Sequence, residues 1–239
     1  MADARYFDRV RDRLATGELS DVAFGALLPP VLREKSAWCW TPIAVARCAA
    51  LRFAERGIRR VLDVGCGPGK FCVAAALARP DLNFFGVDRG VDLIVTAKAV
   101  ASSLRVSNVE FKSGNVVDAR WHDFDGFYFF NPFGEDSASG SDPARAQAEL
   151  MKVVELLGAA NRGAIVITYH GLGGAIPSTY DLLSEEPVGS GPLRVWVKNR
   201  SREAAWYHLD YAYGVSRIPR RYFERQAAAR QSSAEMTTE

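Results

Sequence analysis

The chain has 239 residues, 48% of them hydrophobic and 24% charged, with 30 Lys and Arg against 28 Asp and Glu for a formal charge of +2. These values are ordinary for a soluble globular protein and exclude a collagen-like, wholly disordered or disulfide-stapled chain. No apolar run approaches the roughly 18 residues of a spanning helix, so no membrane partner is expected. In chain order, residues 3–16 predict an amphipathic helix with Tyr6, Phe7, Val10 and Leu14 on one stripe and Gly17 as its stop. The same segment carries charges where a secretion signal needs an apolar core, so a cytoplasmic location is expected. After Pro29-Pro30, Thr41-Pro42 predicts an N-cap followed by proline at the first helical position, with the helix running to about Glu55 and Gly57 ending it. Arg59–Val64 is a short strand, followed by a glycine-rich turn and a helix through about Ala78. Leu82–Val87, Val109–Lys112, Phe127–Phe130 and Ala164–Tyr169 predict further strands, and Val91–Leu104 and Ala144–Leu157 predict helices.

This alternation implies a parallel sheet covered on both faces. Near the end, Leu193–Lys198 and Ala205–Tyr213 both predict strands. Their six-residue connection is too short for a parallel crossover, so the two are expected to pair antiparallel. The division expected is 1–58 as N-terminal helices, 59–213 as the α/β domain, and 214–239 as a basic extension. Residues 194–230 hold nine Lys and Arg against three acids, a local charge of +6. The four cysteines (Cys39, Cys48, Cys66, Cys72) and three histidines (His122, His170, His208) avoid C-x-x-C and H-x-x-x-H spacing. Free thiols and no metal site are therefore expected.

The sharpest motif is Leu62-Asp63-Val64-Gly65-Cys66-Gly67-Pro68-Gly69-Lys70. A strand running into such a turn needs glycine for positive φ and for close approach of the backbone to a ligand. The G-x-G-x-G spacing differs from the G-x-G-x-x-G of dinucleotide folds. Asp88 closes the next strand, where a carboxylate can accept from both hydroxyls of a ribose. The bland alternatives are a simple tight turn, a helix-capping Asp63, a solvated Asp88, a small turn residue at Cys66 and a surface cation at Lys70.

On these residues the chain resembles the class I S-adenosylmethionine-dependent methyltransferases over about residues 40–213, most specifically 61–134. The resemblance implies a doubly wound, mostly parallel seven-stranded sheet ending in an antiparallel hairpin, with extra N-terminal helices. It implies S-adenosyl-L-methionine as cofactor and S-adenosyl-L-homocysteine as product. It assigns Asp63 to the methionine ammonium, Gly65, Cys66, Gly67 and Gly69 to the cofactor loop, Asp88 to the ribose, and Asn115 and Val116 to the adenine. Asn115 stands where Asp is more usual in the family. Trp38, Trp40 and Thr41-Pro42 fall where the family's N-terminal helices close over the methionine end, or belong to the core.

Phe127–Phe130 ends in Asn131-Pro132-Phe133-Gly134-Glu135, at the carboxyl end of a strand beside the glycine crevice, where α/β sheets receive substrate. The Asn131 oxygen and the Pro132 carbonyl suit a planar NH₂ group, and Phe133 suits stacking on it. Methyltransferases of exocyclic amines and amides carry Asn-Pro-Pro-aromatic, so Phe133 is a departure from that pattern. Asn131 is expected at the boundary of cofactor and acceptor, Pro132, Phe133 and Tyr169 around the acceptor, and Glu135 or His170 as an optional base. The alternative for Asn131-Pro132 is a strand-ending turn. The acceptor expected is a nitrogen on a small molecule or protein. A nucleic-acid acceptor, a non-catalytic cofactor-binding module and a nicotinamide dehydrogenase are the competing readings. The sequence leaves the oligomeric state open.

Overall fold

A computed structural model describes residues 4–37, 39–130, 143–199, 206–211 and 214–219. Helices α1 (Ala4–Thr16), α2 (Asp21–Gly25) and α3 (Pro30–Arg33) precede a 3₁₀ turn and α4 (Ile43–Glu55). The α/β alternation follows as β1 (Arg60–Val64), α5 (Lys70–Ala78), β2 (Asn83–Asp88), α6 (Val91–Ser103), β3 (Val109–Ser113), β4 (Gly126–Phe130), α7 (Pro143–Ala159) and β5 (Ile165–Tyr169). Five strands complete the described residues: β6 (Gly171–Pro177), β7 (Tyr180–Val188), β8 (Gly191–Lys198), β9 (Trp206–Tyr211) and β10 (Gly214–Pro219).

The seven-stranded sheet has the order β3-β2-β1-β4-β5-β8-β7. β1 to β5 are parallel, and β8 runs antiparallel to both β5 and β7. β1 pairs with β2 on one side and β4 on the other, so the order reverses there and a crevice opens at the carboxyl ends of these strands. Burial on both faces explains why apolar residues stand at consecutive positions in β1 and β5 instead of alternating with polar ones. Val61, Phe84, Ile165, Ile167 and Val195 face α1, α4, α5 and α6, while Leu62, Val64, Phe127, Phe129, Val166 and Trp196 face α7 and β6.

The crossover from β5 to β7 is a strand. Gly171, Gly173, Gly174 and Pro177 within seven residues make helix costly, at about 1 kcal/mol per Gly and 3 per Pro. β6 instead buries Leu172, Ala175 and Ile176 on the α7 side and pairs with β9 in a second, three-stranded sheet ordered β10-β9-β6.

The mixed sheet with its antiparallel hairpin matches the expected fold class, but the hairpin uses different strands. Leu193–Lys198 does not pair with the 205–213 segment. Its partners are β5 and β7, and β9 lies between β10 and β6. The true hairpin turns on Gly189-Ser190, two residues with Gly189 at φ +61°, the backbone that tight hairpins need. Pro187 and the acidic Ser184-Glu185-Glu186 run hid β7 in the sequence; it is the edge strand, where proline is tolerated. The boundary expected at 213 falls inside the β9–β10 pairing. α4 begins at Ile43 with Pro42 as its N-cap residue, one position later than Thr41-Pro42 predicts. The Asp21 carboxylate accepts the Ile43 N–H at 2.9 Å, which frees the Thr41 hydroxyl for the Tyr128 hydroxyl at 3.0 Å.

Candidate active site

The glycine turn between β1 and α5 is built from left-handed backbone, with φ of +77° at Gly65, +54° at Gly67 and +79° at Gly69. The three glycines do different work. A Cβ at Gly69 would lie 2.7 Å from the Phe111 ring and 2.8 Å from Ala97, so this glycine serves the packing of α5, α6 and β3. A Cβ at Gly67 would lie 2.7 Å from Nε1 of Trp40, which brings that half-buried indole over the loop. Cys66 is buried against Gly86 of β2, and its backbone N–H and that of Gly65 both donate to the Val87 carbonyl.

Two carboxylates flank the loop. Asp88, at the end of β2, accepts from the Gly67 N–H at 2.9 Å and from the Gly90 N–H at 2.8 Å, so it joins the loop to the start of α6. Asp63 is 4% exposed, in register between Gly86 and Tyr128. The Cys72 thiol of α5 donates to it at 3.4 Å. Burial, with a smaller contribution from the Asp88 charge, raises the Asp63 carboxyl from 3.8 to about 8, against the pull of the Cys72 hydrogen bond.

The N-terminal helices are fastened to this turn by Lys70, which the sequence suggested as a surface cation. It is fully buried. Its Nζ donates to the Ser36 carbonyl at 2.7 Å and pairs with Asp21 at 2.7 Å, and burial lowers its pKa against that pairing. Asp21 thus holds both α4 and α5. Phe71, next in the chain, stacks on Tyr128 with ring centroids 3.7 Å apart.

On the other side, Asn115 is committed to local structure. Its oxygen accepts from the Val117 N–H, capping the 3₁₀ turn at Val116–Asp118, and its amide donates to Glu149 of α7 at 3.1 Å. Glu149 is also paired with Arg89, directly after Asp88. Val116 is buried in the α7-side core, and its carbonyl accepts the Trp121 indole N–H.

β4 and β5 end together, with Phe130 in register with Tyr169. Tyr169, expected beside the acceptor, is fully buried, and its hydroxyl donates to the Val188 carbonyl at 2.8 Å. His170 is different. It is partly exposed and adopts φ +56°, uncommon for a side-chain-bearing residue. With Gly171 at φ +83° it turns the chain from β5 into β6. Its ring packs against Tyr169 and Phe130, over the space left by Gly191. Burial and the Arg194 charge lower its pKa, leaving the imidazole neutral at pH 7. Trp38, Asn131, Pro132, Phe133 and Glu135 lie outside the described residues.

The structure therefore brings together Asp63, the glycine loop and Asp88, while His170 follows β5 at the carboxyl edge of the same sheet. Lys70, Cys72, Arg89 and Glu149 were missed by sequence reasoning. Their signals were a cation at the first position of an otherwise apolar helix, a thiol two residues further on, and charges that no periodicity explained.

A doubly wound sheet with the order 3-2-1-4-5-8-7, an inserted antiparallel strand and a glycine turn flanked by two carboxylates defines a class I S-adenosylmethionine-dependent methyltransferase. Residues 57–186 match the profile of a family described as "Methyltransferase domain", and the chain belongs to that family. Among curated proteins, a tRNA (guanine-N(7)-)-methyltransferase of Microcystis aeruginosa is 36% identical over 55 residues, 23% of this chain and 26% of its own. A release factor glutamine methyltransferase of Aliivibrio fischeri is 40% identical over 66 residues, 28% of this chain and 23% of its own. The chain thus spans about a quarter of the length of the curated relatives it matches. A methyltransferase structure from Geobacter sulfurreducens superposes with a TM-score of 0.51 over 82% of this chain and 98% of its own; at 16% identity this likeness is one of fold.

Proposed function

We propose that this methyltransferase moves a methyl group from S-adenosylmethionine to a nitrogen on a small molecule or a protein. The observation that carries the reading is the shared carboxyl edge of β4 and β5. Asn131-Pro132-Phe133 follows Phe130 directly in sequence, and Phe130 is in register with Tyr169, next to a neutral His170. Several relatives are named for methylation at a guanine nitrogen, which supports nitrogen as the acceptor atom.

The residues present fit the cofactor. Asp63 is a buried carboxyl with a single thiol donor among the described side chains, suited to an ammonium group. Asp88 has carboxylate lone pairs left for a ribose diol. Asn115, with its side chain engaged in a cap, keeps one lone pair on its oxygen for an adenine amine. When bound, S-adenosylmethionine supplies a methyl group already activated by its sulfonium. The chain's own contribution is chiefly alignment, worth up to about 7–11 kcal/mol where two reactants are held in attack geometry. The Asn131 oxygen orients the acceptor NH₂, Phe133 stacks on it, and Nδ1 or Nε2 of His170 accepts the proton the nitrogen sheds.

An RNA acceptor is the second reading, favoured by the tRNA methyltransferase relatives. Against it, two of the nine cations in the basic 194–230 segment are internal. Arg194 is 1% exposed and pairs with Asp210 at 2.7 Å, and Lys198 is 4% exposed and donates to the last carbonyls of α7. Buried cations of this kind hold a fold together and cannot meet phosphates.

The test uses methyl-labelled S-adenosylmethionine with lysate separated into RNA, protein and small-molecule fractions. Label is expected in the small-molecule or protein fraction and not in RNA. Asn131→Ala should cut that transfer at least about tenfold while cofactor affinity stays within about threefold. Label appearing in RNA overturns the preferred acceptor. Equal loss of stability and activity in Asn131→Ala removes its orienting role.

A further inference from the structure

We infer that Cys72 is a positioning residue for Asp63: its thiol, on the first turn of α5, holds the carboxylate in the orientation that receives the cofactor's ammonium group. The inference rests on the reading of Asp63 given above.

Geometry carries it. Cys72 is fully buried, Asp63 nearly so, and Sγ lies 3.4 Å from Oδ2. The other titratable groups facing Asp63 are Asp88 from β2, Cys66 from the loop and Tyr128 from β4. None of them supplies a hydrogen bond to it. Tyr128 exchanges its hydroxyl bond with Thr41, the Cys66 thiol is directed to the Gly67 carbonyl at 3.7 Å, and Asp88 is an anion occupied by two backbone N–H groups. Cys72 is thus the one side-chain donor to Asp63 among the described residues. An alanine at 72 would leave a buried carboxylate with no side-chain donor among the described residues.

The thiol remains protonated at ordinary pH. Burial and the nearby Asp63 charge push the Cys72 thiol well above its ordinary value, so it stays protonated and remains a donor. Donation favours the ionised carboxylate over the neutral acid and works against the desolvation that raises Asp63 to about 8. Cys72 therefore limits the proton that must leave Asp63 before an ammonium can sit beside it.

The experiment measures S-adenosylhomocysteine affinity of wild type, Cys72→Ala and Cys72→Ser between pH 6.5 and 9.5. Alongside it, the Asp63 carboxyl is titrated by ¹³C NMR in the ligand-free proteins. The ratio of dissociation constants between variant and wild type cancels the titration of the ligand's own amine. For Cys72→Ala that ratio is expected to be about fivefold or more at pH 6.5 and to fall below about twofold at pH 9.5, where Asp63 is ionised in both proteins. The Asp63 titration should move to higher pH in Cys72→Ala. In Cys72→Ser, whose hydroxyl is the stronger donor, it should move to lower pH with affinity retained. A ratio independent of pH, or an Asp63 titration unmoved by either substitution, overturns the inference. If Cys72→Ala does not fold, the direction of the Cys72→Ser titration decides alone. Asp63→Asn separates the two claims: undiminished affinity in that variant removes the ammonium reading, whereas lost affinity with a flat Cys72 ratio removes only the role of Cys72.

Discussion

Replacing Asp63 by Asn sets stability against binding, and the structure fixes the sign of each. In the free protein this carboxyl titrates at about 8, against 3.8 for an unburied aspartate. Between those values the folded state holds a proton that the unfolded chain has released, so this carboxyl's contribution to stability is fully present below pH 3.8 and is lost as pH rises through the window. Each pK unit is about 1.4 kcal/mol, so keeping the acid neutral at pH 7 costs on the order of 4 kcal/mol. Asparagine keeps the shape and an acceptor for Cys72 and removes that cost. Urea denaturation at pH 4, 6 and 8 should therefore show the variant equal to wild type at pH 4 and more stable by a margin that widens to several kcal/mol at pH 8. Its affinity for S-adenosylhomocysteine should fall sharply, because an amide carries no charge for the ammonium. Wild-type binding at pH 7 should release a proton, measured by calorimetry in buffers of different ionisation enthalpy. A variant less stable than wild type at pH 8, or one that still binds, refutes the reasoning.

Asp88→Ala should weaken S-adenosylhomocysteine binding by about 1.5–3 kcal/mol by calorimetry, the range for hydrogen bonds to a charged group. Lys70→Met strips Asp21 and the Ser36 carbonyl of their common partner. Limited proteolysis should then cut the variant before residue 43 faster than wild type while β1 to β5 stay protected. If His170 takes the acceptor proton, kcat should fall as pH drops through a value below 6.5, the imidazole being competent only when neutral, and His170→Ala should abolish that limb. An acid limb that survives His170→Ala assigns the proton elsewhere.

The parts of the site that were legible in the sequence are those dictated by backbone. Gly65, Gly67 and Gly69 must adopt positive φ, and Asp88 must end a strand next to them, so their spacing alone marks the crevice. The parallel core was equally readable because strands buried on two faces place apolar residues at consecutive positions. What stayed hidden depended on partners far away in the chain. Lys70 reads as a surface cation until Asp21 and Ser36, 49 and 34 residues earlier, fold over it. Arg194 reads as part of a basic surface until β9 brings Asp210 against it. β7 was lost because an edge strand has one polar face and admits Pro187. The next pair of apolar segments, which mimics a hairpin in sequence, belongs to two different sheets.

The central claim is that the glycine crevice between Asp63 and Asp88 holds S-adenosylmethionine. The most direct measurement is isothermal titration of the full chain with S-adenosylhomocysteine and, separately, with NAD. S-adenosylhomocysteine is expected to bind one-to-one, with Asp63→Asn and Asp88→Ala each weakening it, and NAD to bind at least about 100-fold more weakly, a difference of about 2.7 kcal/mol. Binding of NAD with equal or greater affinity, or no heat with S-adenosylhomocysteine from a folded protein, would contradict that claim.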